Sequence, residues 1–318
     1  MNQLPFETIK REILIKQESV ANFGCKPEER DTQDLINYGI VNIDKPSGPT
    51  SHQVSDYVKR ILKLSKAGHS GTLDPHVTGV LPVALGRATR IVQALLPAGK
   101  EYVTLIYLHR PVEEKAIREV FEKFTGKIRQ LPPIKSAVRR IERTRQIYYM
   151  ELLEIEGQHV LFKVGCQAGT YIRKLCHDIG KKLGTGAHMA ELRRTKAGPF
   201  DESTLTTLHD LADAFYYYKE EKNDKFIRKI IQPMEQAVKY LPKVWVLDNA
   251  IKPLSHGRQL AVPGISKLES GINKEDVVAV MTLKDELIAL GKARMSSEDI
   301  MKSDNGIAVK SESVFIQV

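Results

Sequence analysis

The sequence predicts an α+β protein, a large domain of interleaved helices and strands followed by a small β barrel. Two observations lead there. Up to Leu241-Pro242, apolar residues recur at helical spacing in some segments and as β-branched or aromatic runs in others. From 243 onward come short β-like runs (KVWVLD, VVAVMTL, ELIALGKARM, GIAVKS, SVFIQV) separated by glycines and turns. The expected organisation is an N-terminal extension over 1–38, a large domain over 39–241 and a small β-rich domain over 242–318.

The extension is charge-rich, with KPEERDTQD (26–34) its most solvated part, and reads as part strand, part loop. GIVNIDKPSGPT (39–50) is a short apolar strand running into a Pro/Gly turn. Thr50 or Ser51 can then cap a helix whose Val54, Val58, Ile61 and Leu62 fall at helical spacing. After the loop at 69–79 come a short apolar segment, GVLPVAL, and a helix over roughly 87–96. YVTLIYLH (102–109) is a buried strand, Glu113 to Phe124 a helix and LPPIK (131–135) a Pro-broken loop. Long strands follow over 138–166, turning at Gly157. GTYIRKLCHDIGKKLG (169–184) leads through a glycine into a helix with Ile172, Leu175, Ile179 and Leu183 on one face. Two more helices are expected, at about 205–217 and 225–239.

A chain of 318 residues, 42% hydrophobic and 27% charged, has the composition of a soluble globular protein able to bury a substantial core. Lys and Arg total 48 against 39 Asp and Glu, a formal +9 that suits a polyanionic partner without establishing one. Cys25, Cys166 and Cys176 are too few and scattered for a disulfide framework or a four-cysteine zinc site. They fit a reducing compartment, and the N-terminus lacks the apolar run of a signal peptide. No apolar stretch is long enough to span a bilayer, so the expected location is the cytoplasm.

HSGTLDPHVTG (69–79) places one carboxylate, Asp74, between two histidines on a turn-forming stretch. A metal site of His69, Asp74 and His76 lacks any HxxxH or CxxC companion. Ser70 as a hydrolase nucleophile lacks the GxSxG elbow. Gly184-Thr185-Gly186 completes no phosphate loop, and Cys166, Cys176 and His177 read as core and helix residues. The residues alone leave Asp74 between a turn-capping role and a chemical one.

In chain order, NIDKPSGPTSHQV (42–54), HSGTLDPHVTGVLPVALGRATR (69–90), GKEYV (99–103), GTYIRKL (169–175) and ELRRTKAGPF (191–200) resemble the motifs of the TruB-type pseudouridine synthases. SHGRQLAVPGI (255–265) resembles a PUA RNA-binding module. The resemblance implies a catalytic domain with a mixed, largely antiparallel central sheet flanked by helices, ahead of a β-barrel-like PUA domain. It also implies isomerisation of uridine in RNA: the C1′–N1 bond breaks, the uracil turns, and C1′ rejoins at C5. The atoms are conserved, so no cofactor and no metal are expected.

By the same resemblance Asp74 is the catalytic carboxylate, supporting C1′ or adding to the base. Tyr102 stacks on the target base. Tyr171 accepts the C5 proton, and Arg173 keeps a buried Asp74 ionised. His52 assists base displacement and Leu192 packs on the target nucleotide. In the PUA module, Lys252, His256, Gly257 and Arg258 are the expected RNA face, against the alternative of a turn between strands. YVTLIYLHRP runs directly into VEEKAIREVFEKF without the acidic loop of the bacterial pattern, and 132–138 replaces its PPMYSALK. TGAHMAELRRTKAGPF and YYMELLEI look dyskerin-like, and long Lys-rich tails are missing, as in the archaeal form. The expected partners are an H/ACA guide RNA, rRNA or tRNA substrate, two small core proteins and a kink-turn-binding ribosomal-type protein. A stand-alone enzyme on the tRNA T-loop (uridine 55), or a catalytically silent RNA scaffold, is the alternative.

Overall fold

The structure is a computed structural model that describes residues 2–132 and 139–316. The Pro-broken loop expected from Leu131 onward, and the start of the strand run expected at 138, therefore fall mostly outside the described residues.

The large domain is built on a ten-stranded sheet. Its strands are β2 (Gly39–Lys45), β3 (Ala67–His69), β4 (Thr78–Leu85), β5 (Lys100–Leu108) and β6 (Gly126–Gln130). They continue as β7 (Arg143–Glu156), β8 (His159–Cys166), β9 (Ala187–Ala197), β10 (Phe200–Asp201) and β11 (Ile231–Pro233). The order is β11-β2-β4-β9-β5-β8-β7-β6, with β3 on β4 and β10 on β9. All pairings are antiparallel except β4 with β9, which are parallel at Thr78↔Arg193 and Gly79↔Arg194. This is the mixed, largely antiparallel sheet that the motifs implied.

Helices α1 (Thr32–Asn37), α2 (Ser51–Ile61), α3 (Val92–Leu95), α4 (Glu114–Phe124), α5 (Ile172–Leu183), α6 (Leu208–Glu220) and α7 (Lys225–Ile230) cover it. Local chemistry sets their ends. Thr50 and Gln53 close a reciprocal capping box at the start of α2, which buries Val54 and Val58. Helix α5 buries Ile172, Leu175 and Ile179 and stops at Gly184 with φ +74°. Gly157, φ +58°, turns β7 into β8.

Two expectations need correction. The apolar segment GVLPVAL forms the central strand β4, but the helix expected at 87–96 begins as 3₁₀ turns over Gly86–Ile91 before α3. The helix expected over 225–239 ends at Ile230. Pro233 has no N–H for a helix, so the chain extends as β11 beside β2, and 3₁₀ turns follow over Met234–Val238.

The C-terminal part is a second sheet of β12 (Lys243–Val246), β13 (Leu260–Ala261), β14 (Ile265–Glu269), β15 (Val277–Met281), β16 (Leu287–Ala293) and β17 (Ile307–Val314), with helices α8 (Asp248–Ser255) and α9 (Ser297–Lys302). Its seventh strand is β1 (Ile13–Ile15) of the N-terminal extension, paired with β14. The same extension buries Leu4 completely and packs Leu35 and Ile36 of α1 into the large domain's core. It therefore ties the two sheets together. Trp245, Met281, Leu287 and Phe315 share one buried cluster with Ile40, Val80, Ile91 and Met234 of the large domain.

A buried ionic junction closes this seam. Arg30 donates to both carboxylate oxygens of Glu235 at 2.7 and 2.9 Å and lies 3.6 Å from Glu286. Burial pushes Glu286 above the usual carboxylate range, and Arg30 opposes that rise. Arg30→Ala should cost about 3–5 kcal/mol by leaving two buried carboxylates facing each other. An acid with a raised folded-state pKa stabilises the fold as pH falls through that pKa, and without Arg30 the rise is larger. The penalty should therefore be greatest at about pH 7 and shrink toward about pH 5. Thermal melts of wild type and variant at both pH values check this; a pH-independent difference would contradict it.

Candidate active site

The loop between β3 and β4 carries Asp74, and buried side chains hold its backbone from below. Lys45, fully buried at the end of β2, donates to the carbonyls of Pro46, Pro75 and Val77 at 2.8–2.9 Å. The Ser51 hydroxyl accepts from Leu73 N at 2.8 Å and donates to Leu73 O at 3.2 Å. Gly48 N donates to Pro75 O at 3.0 Å, and Val77 N to Asp74 O at 3.0 Å. Arg194, 1% exposed, donates to Val80 O at 2.7 Å and to Gly71 O at 3.3 Å. The loop is thereby fixed on both flanks and in the middle while the Asp74 side chain stays in solvent.

Arg173, in the first turn of α5, makes an ion pair with Asp74 through Nη2 and Oδ2. The two residues are 99 positions apart, so the pair exists only because the sheet brings α5 over the loop. The expectation of a buried carboxylate is not met: the Asp74 and Arg173 side chains are 52% and 57% exposed. Arg173 still holds the carboxylate in place.

Tyr102 and Leu192 lie on adjoining strands, with Tyr102 opposite Arg194 and Thr104 opposite Leu192. Both are half-buried and pack on one cluster with Ile106, Phe162 and Leu175. Burial pushes the Tyr102 phenol above its ordinary pKa, against the pull of the neighbouring Arg194 charge. Tyr171 sits at the N-cap of α5, where its N–H and C=O are both engaged by the buried Gln130 amide at 3.0 and 3.1 Å. His52, exposed on α2, meets His69 edge-on with ring centroids 4.7 Å apart. His69 is pushed down to about 4, first by burial and then by the charges of His52 and Arg194. It is therefore neutral at neutral pH, and its Nε2 is buried without a partner among the described residues. Asp74, His69 and His76 form no metal cluster, nor does any group of three such side chains among the described residues.

The expected RNA-face residues of the second domain sit together on one exposed helix end. Lys252 lies in the last turn of α8, His256 is its C-cap and Gly257 adopts φ +80°. Gly257 N and Arg258 N donate back to Leu254 O and Pro253 O. The alternative of a turn between strands is thus replaced by a helix terminus. Two cavities of about 350 and 490 Å³ lie along the seam by Phe6, Arg11 and Tyr240, and no residue of the Asp74 site lines either.

Sequence reasoning missed Lys45, Ser51, Gln130 and Arg194. Lys45 carried a signal, a lysine closing the apolar strand GIVNI. Arg194 carried a weaker one: strand alternation turns one of two adjacent arginines inward. Arg193 goes the other way, to Asp44 and Glu202.

Comparison with known proteins accounts for this arrangement. The family models for the TruB family pseudouridylate synthase N-terminal domain match residues 59–112 and 109–172, and that for the tRNA pseudouridylate synthase B C-terminal domain matches 173–239. The PUA domain model matches 242–315 and the DKCLD model 2–55. A protein of Pyrococcus furiosus named "probable tRNA pseudouridine synthase B" is 58% identical over 97% of this chain and 92% of its own length. One of Methanopyrus kandleri with the same name is 51% identical over 99% and 94%. A solved Cbf5-Nop10-Gar1 complex contains a chain that superposes with TM-score 0.95 at 57% identity, covering 99% of this chain and 97% of that one. An H/ACA RNP bound to a substrate RNA containing 2′-deoxyuridine contains one with TM-score 0.93 at 55% identity, covering 99% and 98%. Among the described residues no helix is long and apolar enough to cross a membrane. Matched along nearly its whole length, the chain belongs to the TruB family of pseudouridine synthases, RNA uridine isomerases, and carries a PUA domain at its C-terminal end.

Proposed function

We propose that the chain is the catalytic subunit of an H/ACA guide-RNA ribonucleoprotein, isomerising chosen uridines of rRNA in the cytoplasm. The observation that carries the catalytic part is the Asp74–Arg173 pair on a loop held by Lys45, Ser51 and Arg194. Asp74 supports C1′ or adds to the ring once the glycosidic bond weakens. The ring face of Tyr102 holds the detached uracil while it turns, with Leu192 packing beside it. Tyr171 takes the C5 proton, and N1 is protonated as C1′ rejoins at C5. His52 stands at the rim of the loop, where a displaced base would pass. A uridine paired in a duplex is out of reach, so the target is looped out or flipped, at about a few kcal/mol. Asp74 and Arg173 lie open to receive it, and the RNA itself supplies the missing cover.

Support for the ribonucleoprotein reading is the 55–57% identity, over nearly full length, to chains solved in H/ACA complexes, one with Nop10 and Gar1 and one with substrate RNA. Those two small proteins and a guide RNA are the partners we assign. The names of the curated relatives favour a second reading, guide-independent modification of the tRNA T-loop. Pseudouridine mapping separates the two: the protein with a T-loop transcript alone, and with guide, target RNA and partner proteins. Activity confined to the first reaction would overturn the guided reading.

Two variants test the sites. Asp74→Asn should abolish pseudouridine formation while RNA affinity stays within a few-fold; turnover at the wild-type rate would remove Asp74 from the mechanism. Lys252→Ala with Arg258→Ala should weaken guide-RNA binding and lower the slope of log K against log salt by about 2, one per phosphate contact. An unchanged slope in a binding titration would place the RNA elsewhere.

A further inference from the structure

Arg194 is buried in the large domain, and among the described residues its hydrogen-bond partners are neutral, the carbonyls of Gly71 and Val80. That is a costly way to fill a core position. A buried guanidinium without an opposing charge loses its hydration for hydrogen bonds that replace only part of it, and an apolar side chain would pack there without that loss. Its charge also disfavours protonation of His69, Lys45 and Lys100 nearby.

What the guanidinium does have is reach in three directions at once. Gly71 lies on the β3 side of the Asp74 loop and Val80 on the β4 side, so Arg194 staples both flanks of the segment that presents the carboxylate. Tyr102 is its cross-strand partner on β5. The planar fork has five N–H donors in fixed directions, which a lysine ammonium cannot reproduce. A second feature keeps this geometry tight. Gly79 faces Arg194 across the parallel β4–β9 pairing, and a Cβ on Gly79 would fall 2.2 Å from the Arg194 carbonyl oxygen.

We propose that Arg194 is a positioning residue for the isomerisation, a strut that sets the spacing between the Tyr102 ring and the Asp74 loop. This rests on the roles given above to Asp74 and Tyr102. In this reaction the uracil is detached, turned and reattached between those two groups. Their separation must hold through several steps, and an error of about 1 Å there can cost about a hundred-fold in rate.

The test is single-turnover conversion, with protein in excess, of whichever RNA the wild type modifies. Arg194→Lys should slow conversion about ten- to a hundred-fold, with the RNA Kd within about two-fold. Tyr102→Phe removes only the hydroxyl of the side chain that is the strut's cross-strand neighbour and should slow the same step with affinity kept. If both act through one contact, the double variant should be about as slow as Arg194→Lys alone, because coupled residues are not additive. A wild-type rate in Arg194→Lys, or effects that multiply in the double variant, would overturn the proposal. Should Arg194→Lys melt below the assay temperature, Tyr102→Phe decides alone, and a wild-type rate there overturns it. Asp74→Asn run in parallel keeps the failures apart: turnover in that variant sinks the catalytic reading, whereas a silent Arg194→Lys sinks only the strut.

Discussion

The site depends on a loop whose backbone carbonyls are taken up by two buried cations. Lys45 binds those of Pro75 and Val77 and Arg194 that of Gly71, each also holding one carbonyl beside the loop, and neither makes an ion pair among the described residues. A Gly-, Pro- and Thr-rich segment would otherwise sample many turn conformations and present its carboxylate over a wide range of positions. Fixing the main chain from beneath leaves the carboxylate itself free for chemistry. The side chain can then stay hydrated and exposed in the RNA-free protein without losing its place.

This division of labour explains which parts of the site the sequence disclosed. Asp74, Tyr102, Tyr171 and Arg173 are proposed as the site because their motifs occur together and in order, not because any one of them is unusual. Their mutual placement follows from sheet order, and the parallel neighbouring of β4 and β9 is written nowhere in the local pattern. The supporting cations were harder to see. A lysine or arginine on a strand reads as solvated, and only the three-dimensional packing shows that Lys45 and Arg194 point inward. The burial of Asp74 was misjudged for the converse reason, since exposure depends on what lies above the loop.

The fold shows the same contrast. Capping of α2 by Thr50 and the apolar face of α5 are local properties and were legible. The break after Ile230 was missed because the apolar spacing continues past it, although Pro233 was the available signal. Pairing of β1 with β14 joins residues some 250 positions apart, and nothing in the extension's own composition points to its partner.

The seam between the two sheets has a thermodynamic consequence. Trp245, Met281, Leu287 and Phe315 contribute to the same core as Ile40, Ile91 and Met234, and the N-terminal segment is woven through both halves. Neither half can lose its packing while the other keeps a complete interior. The two halves are thus coupled through a shared interior rather than merely tethered. Excising the PUA module would not release a smaller enzyme but would leave an open apolar face and an unpaired strand in its place.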